Sequence, residues 1–504
     1  MKNKLNEAFD DIDLKYVSAA QNPPKKSRAL KIALIAAALA LVTAAVPVIS
    51  VMSRRNAAND TLTEGAETGL HDGKSEAADT GATPAGLDGA ENNDTTPDGA
   101  AGGELSAPGF AGKAGDYSGA KYVSLAAYPE NDETLYGRWN EYTAESAKLA
   151  GFFDRLYQTV LGKDGASVVS PVNIYTALSL LAECTDGNTR RQILDAVGVS
   201  DMDGMRAQSK LIWESAYRDN EYGKTLLGNS VWLSTSLPVK EKCVKLLNDE
   251  HYASVFNGDF YDDKYVSAMK QWISDQTGGL LDKQLSELDI PPETVAALVS
   301  TLYYKARWEN GFTGSADGIF YGKNGEQNCK FNQKKSVGQI YKENGFTAYR
   351  EKLSDGNYMW FFLPDEDKTV SDVLDYGAVS YINQTKKNGK LYDVTFLMPD
   401  FDVDCDATLN DAFKALGIKD CFGSADFSPL TDASVRVDRV QHAARVKADK
   451  DGVEGAAYTV MLLERSGDFY GETEEYTLTL DRPFVFIVEN GGVPLFVGCV
   501  NDLQ

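Results

Sequence analysis

The sequence predicts an α+β domain carried behind one membrane helix and a disordered acidic stalk. Three observations predict it. An uncharged run of 21 residues, Ile32–Met52, stands near the N-terminus. A stretch rich in Gly, Ala, Asp, Glu and Thr follows. From Thr134 onward helical periodicity dominates early and strand patterns dominate late, with no second linker. The chain divides accordingly into a cytoplasmic segment (1–31), a transmembrane anchor (32–52), a stalk (53–133) and a folded domain (134–504).

The first segment is polar and ends in Lys25, Lys26, Arg28 and Lys31. A 21-residue helix reaches about 30 Å, the thickness of a bilayer core. Arg54 and Arg55 follow the run, so four positive charges precede it against two just after. That bias places the N-terminus in the cytoplasm and the C-terminus outside. Pro47 is tolerable in a membrane helix. A cleaved signal peptide is the alternative, but the polar leader is long and the run exceeds an ordinary h-region. Residues 56–120 then carry 12 acidic residues against two lysines. Such a stretch cannot bury enough apolar surface to order itself, and its like charges extend it.

The folded domain opens with Leu149, Phe152, Phe153, Leu156, Tyr157 and Val160 at helical period after a Thr143 N-cap. A short strand, Ala166–Val169, runs into Ser170–Pro171, where Ser caps a helix and Pro takes its first position. Thr189 and Gln192 form a capping box for the next helix. Further elements are a strand at Leu226–Leu233, a helix at Val266–Asp275, and strands at Val295–Tyr304 and Val394–Met398. A helix carrying Leu409, Phe413 and Leu416 ends at Gly417. The C-terminus reads as strands, Tyr476–Leu480, Pro483–Val488 and Leu495–Val500, with an Asn490–Gly491 turn.

Composition excludes several functions. The 504 residues are 43% apolar, enough for a large core, and carry a net charge of −24. Nothing would neutralise nucleic-acid phosphates, and a polyanion cofactor is equally unsuited. The six cysteines (184, 243, 329, 405, 421, 499) form no CxxC pair and read as free or incidentally paired core thiols; an even count in an exported chain permits disulfides, but spacing does not pair them. With His71, His251 and His442 the only histidines, no metal site and no cofactor are expected. There is no GxSxG, HExxH, GxxxxGK[ST] or GxGxxG motif. His442 lies near Asp438 and Ser434, but in the alternating run Val435–His442 it reads as structural. The chain is therefore not expected to be an enzyme.

Several segments together resemble the serpin family. Val168-Val-Ser-Pro-Val-Asn-Ile-Tyr-Thr-Ala-Leu-Ser-Leu-Leu is similar to its second helix and approach. Leu227-Gly-Asn-Ser-Val-Trp-Leu resembles a central strand of its main sheet. Val299-Ser-Thr-Leu-Tyr-Tyr-Lys-Ala-Arg-Trp-Glu-Asn-Gly-Phe resembles the long strand ending in Lys-x-x-Trp-x-x-x-Phe. Arg436–Gly452 is similar to the strand leading into the reactive loop, and Arg482-Pro-Phe-Val-Phe to the strand after it. The resemblance covers residues 137–504. It implies three β-sheets, eight or nine helices and one exposed reactive-centre loop that baits a protease.

The resemblance also assigns positions. Ser170, Asn229 and His442 match the shutter beneath the main sheet, and Trp308 matches the breach tryptophan where insertion begins. Gly452, Val453, Glu454, Gly455, Ala456, Ala457, Tyr458 and Thr459 match the hinge. The segment Val453–Glu464 has no proline, and a strand alternates its faces. One face, Val453, Gly455, Ala457, Thr459, Met461 and Leu463, has no charge, while Glu454 and Glu464 fall on the other. The hinge departs from the family in Lys450-Asp451-Gly452, whose acid sits one place late, in Val453 where Thr or Ser is commoner, and in Gly455 where Ala is usual. A glycine there costs about 0.5–1 kcal/mol. Arg465–Ser466 is the expected reactive bond, suited to a trypsin-like pocket. Phe469–Tyr470 is the alternative bait for a chymotrypsin-like slot. The implied mechanism is suicide inhibition of a serine or cysteine protease: cleavage, an acyl-enzyme, and loop insertion into the main sheet. The expected partners are that protease and a membrane, through Ile32–Met52, with the chain itself a monomer. The competing expectation is a serpin-fold binding protein whose loop is only a substrate.

Overall fold

A computed structural model describes residues 43–54, 117–124, 126, 138–161, 167–384, 389–453 and 473–503. Strands β1 (Thr43–Arg54) and β2 (Lys121–Ser124) precede helix α1 (Trp139–Val160) and strand β3 (Val168–Val169). Helices α2 (Pro171–Cys184), α3 (Gly187–Val197) and α4 (Met202–Ala216) follow. Next come β4 (Arg218–Asp219), β5 (Gly223–Ser234), α5 (Glu241–His251) and β6 (Ala253–Gly258). Helices α6 (Asp263–Gln276) and α7 (Asp282–Glu287) lead to the long strand β7 (Thr294–Arg307).

The second half is strand-rich. It runs β8 (Gly314–Gly322), β9 (Gly325–Glu343), β10 (Phe346–Lys352) and β11 (Tyr358–Pro364) before helices α8 (Val370–Tyr376) and α9 (Ala378–Asn383). Strands β12 (Lys390–Pro399) and β13 (Phe401–Thr408) precede α10 (Asn410–Ala415). Then come β14 (Val435–Val437), β15 (Val440–Ala448) and the two-residue β16 (Gly452–Val453). The chain closes on β17 (Glu475–Thr479), β18 (Phe484–Asn490) and β19 (Val493–Val500). The α+β class holds, with ten α-helices among the described residues rather than eight or nine.

The main sheet has ten strands, ordered β13-β15-β1-β7-β5-β6-β2, with β14 on β1, β16 on β7 and β4 on β5. The remaining nine strands run β17-β12-β9-β10-β11-β18-β19-β3, with β8 on β9. The 19-residue β9 takes part in the pairings of both halves of this second array, so two of the three expected sheets share one strand.

Helices cover both faces of the main sheet. Leu298 and Leu302 of β7 share a core with α2, whose residues are all buried. Ala297 and Val299, pointing the other way by strand alternation, share a second core with Trp272 and Ile273 of α6. In that second core Trp232 stacks on Phe256 at 4.1 Å.

Several local expectations are corrected. Helix α1 starts at Trp139, so Thr143 sits inside it and turns its hydroxyl to the Asn140 carbonyl. Thr189 and Gln192 do not box the start of α3. They accept from the backbones of Asp426 (3.0 Å), Lys419 (2.8 Å) and Asp420 (2.9 Å), tying α3 to the segment after α10. The final hairpin turns on Gly491–Gly492, both at positive φ as a two-residue loop of this kind requires, and Asn490 still belongs to the strand. Gly417, at φ +96, does end the α10 region as expected.

Two larger corrections concern the N-terminal region. Lys121–Ser124, assigned to the stalk on composition, is a strand on β6 at the sheet edge. It is anchored by Tyr117, whose hydroxyl donates to Asp275 of α6 at 2.7 Å. The expected membrane helix is not seen either. Residues Thr43–Met52 lie in strand β1, inside the main sheet, and Ile32–Val42 fall outside the described residues. Among the described residues no helix is long and apolar enough to cross a membrane. The physical reason lies in composition: an uncharged run with Val46, Val48, Ile49 and Val51 suits the middle of a sheet as well as lipid.

Candidate functional site

The candidate site is the lane between β7 and β15, with the turn that delivers the chain to its top. Strand β15 ends at Ala448, and Asp449-Lys450-Asp451 reverses the chain. The Asp449 carboxylate accepts the Asp451 N–H at 2.6 Å. Gly452 then pairs with Arg307, and Val453 with Ala306. Gly452 has φ +143, and a Cβ there would lie 2.4 Å from the Arg307 Cα, so only glycine fits. Trp308 braces this turn. Its Nε1–H donates to the Asp449 carbonyl at 2.8 Å, and its ring meets Phe312 edge-on at 5.8 Å. Burial of the Asp449 carboxyl raises its pKa.

Lower in the lane His442 is fully enclosed. Its Nε2 accepts the backbone N–H of Ser170 at 3.2 Å, which joins β15 to the start of α2. That acceptor role leaves the proton of the neutral ring on Nδ1, which has no hydrogen-bond partner. Burial pushes the imidazole down to about 3. Ser170 stands at the N-cap of α2, as expected, but its hydroxyl makes no capping bond and is also unpartnered. Across the lane, Thr176 of α2 and Ser300 of β7 share a 2.7 Å hydrogen bond. Helix α2 is therefore tied by polar contacts to both walls.

The fold has counterparts among known proteins. The family model described as "Serpin (serine protease inhibitor)" matches residues 147–503. The chain belongs to the serpin family. Serine protease inhibitor 2 of Anopheles gambiae is 25% identical over 376 residues, covering 69% of this chain and 90% of that protein. Serpin-ZX of Arabidopsis thaliana is 24% identical, covering 68% of this chain and 94% of its own. Among solved structures, the thermophilic serpin tengpin in its native state superposes with a TM-score of 0.63 at 22% identity, covering 76% of this chain and all of tengpin. Human thyroxine-binding globulin gives 0.61 at 20% identity, covering 72% of this chain and 99% of its own. The description of the family names inhibition of serine proteases and no catalytic activity.

Of the residues expected in the shutter, Ser170 reaches His442 through its backbone N–H and not its side chain, and Trp308 stands at the head of the lane. Asn229 does not join them. Its side-chain N–H donates to the His251 carbonyl at 2.8 Å. Of the hinge, Gly452 and Val453 are described, while Glu454, Gly455, Ala456, Ala457, Tyr458 and Thr459 lie outside the described residues, as do Arg465 and Ser466.

Sequence reasoning missed a second buried polar cluster below the lane. Glu183 receives Arg206 through Nε at 2.8 Å and Nη2 at 2.7 Å, and its Oε2 lies 3.2 Å from His251 Nε2. Ser179 stands 3.3 Å from the other ring nitrogen of His251, and the Ser209 hydroxyl donates to Ser179 at 3.1 Å. Burial alone would raise the Glu183 carboxyl, but the bonds and charges of Arg206 and His251 outweigh it and hold it at about 2. The arrangement joins helices α2, α4 and α5, with Glu183 and His251 buried and Arg206 reaching the surface beside Asp203, so it locks the three together. None of the six cysteines is in a disulfide, and all but Cys329 are buried.

Strand β1 fills the lane itself. It runs antiparallel to both walls, pairing Ala44–Ile49 with Arg445–Val440 of β15 and Thr43–Ala45 with Tyr304–Leu302 of β7.

Proposed function

We propose that this serpin is a suicide inhibitor of extracellular serine proteases, acting by cleavage of the segment after Val453 and its insertion between β7 and β15. The observation that carries the reading is the pairing of Gly452 and Val453 with Arg307 and Ala306 at the head of that lane. Gly452 and Val453 already lie in register with the strand that the rest of the hinge would follow. Nothing in its sequence down to Leu463 is a proline, so each further residue can donate to the ladder. The stored strain of an uninserted loop is then released when the protease cuts it.

Arg465–Ser466 is the proposed reactive bond, and a trypsin-like enzyme the proposed target. Incubation with trypsin should give an SDS-stable complex and release a peptide beginning at Ser466. R465A should abolish the complex with trypsin. A peptide beginning after Phe469 or Tyr470 would move the bond and point to a chymotrypsin-like target instead. Cleavage with no complex and no rise in melting temperature would sink the inhibitory reading.

The second reading, a serpin fold whose loop is only a substrate, is favoured by one observation: β1 already occupies the lane. Placement outside the cell on an N-terminal anchor remains part of the proposal. It rests on the four positive charges before residue 32 and two just after residue 52. It requires Thr43–Met52 to leave the sheet, and release of the chain from cell membranes by alkaline carbonate would refute it.

A further inference from the structure

We infer that Thr43–Arg54 is a self-supplied plug, a segment of the chain's own N-terminal region holding the place that the cleaved loop must take. The inference rests on the insertion mechanism proposed above, and it holds for a chain whose Thr43–Met52 is in the sheet, not for one anchored through Ile32–Met52.

Register makes the two segments competitors. Gly452 pairs with Arg307 and Val453 with Ala306, and Thr43 pairs with Tyr304 of the same strand. Only Lys305 separates them. Continuing the hinge down β7 would set Gly455 on Tyr304, Ala456 on Tyr303 and Ala457 on Leu302. Those partners are held by Thr43, Ala44 and Ala45. Direction agrees as well, because β1 and β16 both run antiparallel to β7.

The sequences agree in the same register. Thr43-Ala-Ala-Val-Pro-Val-Ile-Ser aligns with Gly455-Ala-Ala-Tyr-Thr-Val-Met-Leu. Both begin with small residues, both carry no charge, and Ala44, Ala45 and Val48 match Ala456, Ala457 and Val460 identically.

The plug is the poorer of the two strands. Pro47 faces His442 on β15 and has no N–H to give. On the β7 side the pairing runs from Ala45–Leu302 directly to Val48–Val299, and its register shifts between Ile49 and Ser53. The loop has Thr459 where the plug has Pro47, so it can complete a ladder that the plug leaves broken. A freed loop therefore has the advantage, and the plug sets how fast it enters.

The test uses the full chain purified in mild detergent, with two substitutions of opposite sign. V48P removes a ladder donor from the plug, and P47A restores one. Amide exchange is read at Leu298–Tyr304 and Val440–Arg445, and entry of a synthetic peptide of sequence Val453–Leu463 is followed on native gels. V48P should raise exchange and speed peptide entry by about fivefold or more, the worth of one lost hydrogen bond. P47A should slow both, and T61P, outside the strand, should change neither. Equal exchange in wild type, V48P and P47A overturns the plug. If V48P shifts exchange as expected but no variant traps a protease, the inhibitory reading fails and the plug stands.

Discussion

His442 Nε2 accepts the backbone N–H of Ser170 at 3.2 Å, and among the described residues nothing else satisfies that ring. The bond is a single latch between a sheet strand and a buried helix. It requires a neutral imidazole, because a protonated Nε2 would face an N–H donor with a hydrogen of its own.

The first prediction follows from that latch. An ordinary histidine titrates near 6.5, while His442 is held down to about 3 by burial. The unfolded chain therefore binds a proton that the folded chain refuses. Stability from this group is full above pH 6.5 and is lost as pH falls toward 3. The slope is about 1.4 kcal/mol per pH unit at its steepest. Urea unfolding at pH 6.5 and pH 5 should differ by about 2 kcal/mol in the wild type. In H442N that difference should largely vanish; an unchanged slope would show that His442 is not the titrating group.

Glu183 supplies the second, in a lower window. Its carboxyl lies at about 2 in the fold against an ordinary 4.5. A depressed carboxylate stabilises above its unfolded pKa, so this share is present above pH 4.5 and fades as pH falls toward 2. It amounts to about 3 kcal/mol. E183Q should cost about 3 kcal/mol at pH 7, since it removes the anion that Arg206 and His251 share and leaves Arg206 only Asp203, 2.9 Å from its Nη1. R206M removes the opposite partner and should cost a similar amount by denaturant melts. A loss under about 1 kcal/mol in both would mean the cluster relaxes without it.

How far the sequence could be read depends on which forces act locally. Helix α2 and strand β7 were legible because Pro171 sets a helix start and Val295–Tyr304 is a run too apolar for anything but a buried strand. Ser170, His442 and Trp308 were singled out through the family likeness, and the structure places all three along the lane between β7 and β15. Asn229 was misassigned because a short amide can reach either neighbour, and its partner is a backbone carbonyl that no motif encodes. The Glu183–His251 cluster joins residues on separate helices and leaves no local pattern. The fate of Thr43–Arg54 was hidden for a different reason. Lipid and the centre of a sheet impose the same demand, an uncharged apolar run, and the hydropathy of 32–52 satisfies both. The one sequence feature that distinguishes the strand from a span is the match between Thr43-Ala-Ala and Gly455-Ala-Ala on which the plug inference draws.

A third prediction concerns the breach. W308F keeps an aromatic ring against Phe312 but loses the Nε1–H bond to the Asp449 carbonyl. It should cost about 1 kcal/mol in a chemical melt. Its larger effect should be local: amides of Asp451–Val453 should exchange faster while those of β13 remain protected. Uniform exchange across the sheet would mean that Trp308 serves general packing instead of holding the turn.

The last concerns Gly452, where backbone and neighbour agree. Its φ of +143 is a conformation that residues with a Cβ rarely adopt, and the added carbon would stand 2.4 Å from Arg307 Cα and 2.6 Å from the Ala306 carbonyl oxygen. The clash is with backbone on both counts, so no side chain can swing aside to relieve it. G452A should therefore detach β16 from β7, at a cost of about 1–3 kcal/mol if the turn alone gives way. The amide of Val453 should lose its protection in the uncleaved chain. After proteolysis of the loop, the rise in melting temperature that accompanies insertion should shrink, because the first pairs of the new strand cannot form. G423A, at a glycine whose added Cβ meets nothing within 4 Å, is the matched control and should leave the hinge amides as they are. A G452A chain that gains as much stability on cleavage as the wild type would show that insertion does not begin at this pair.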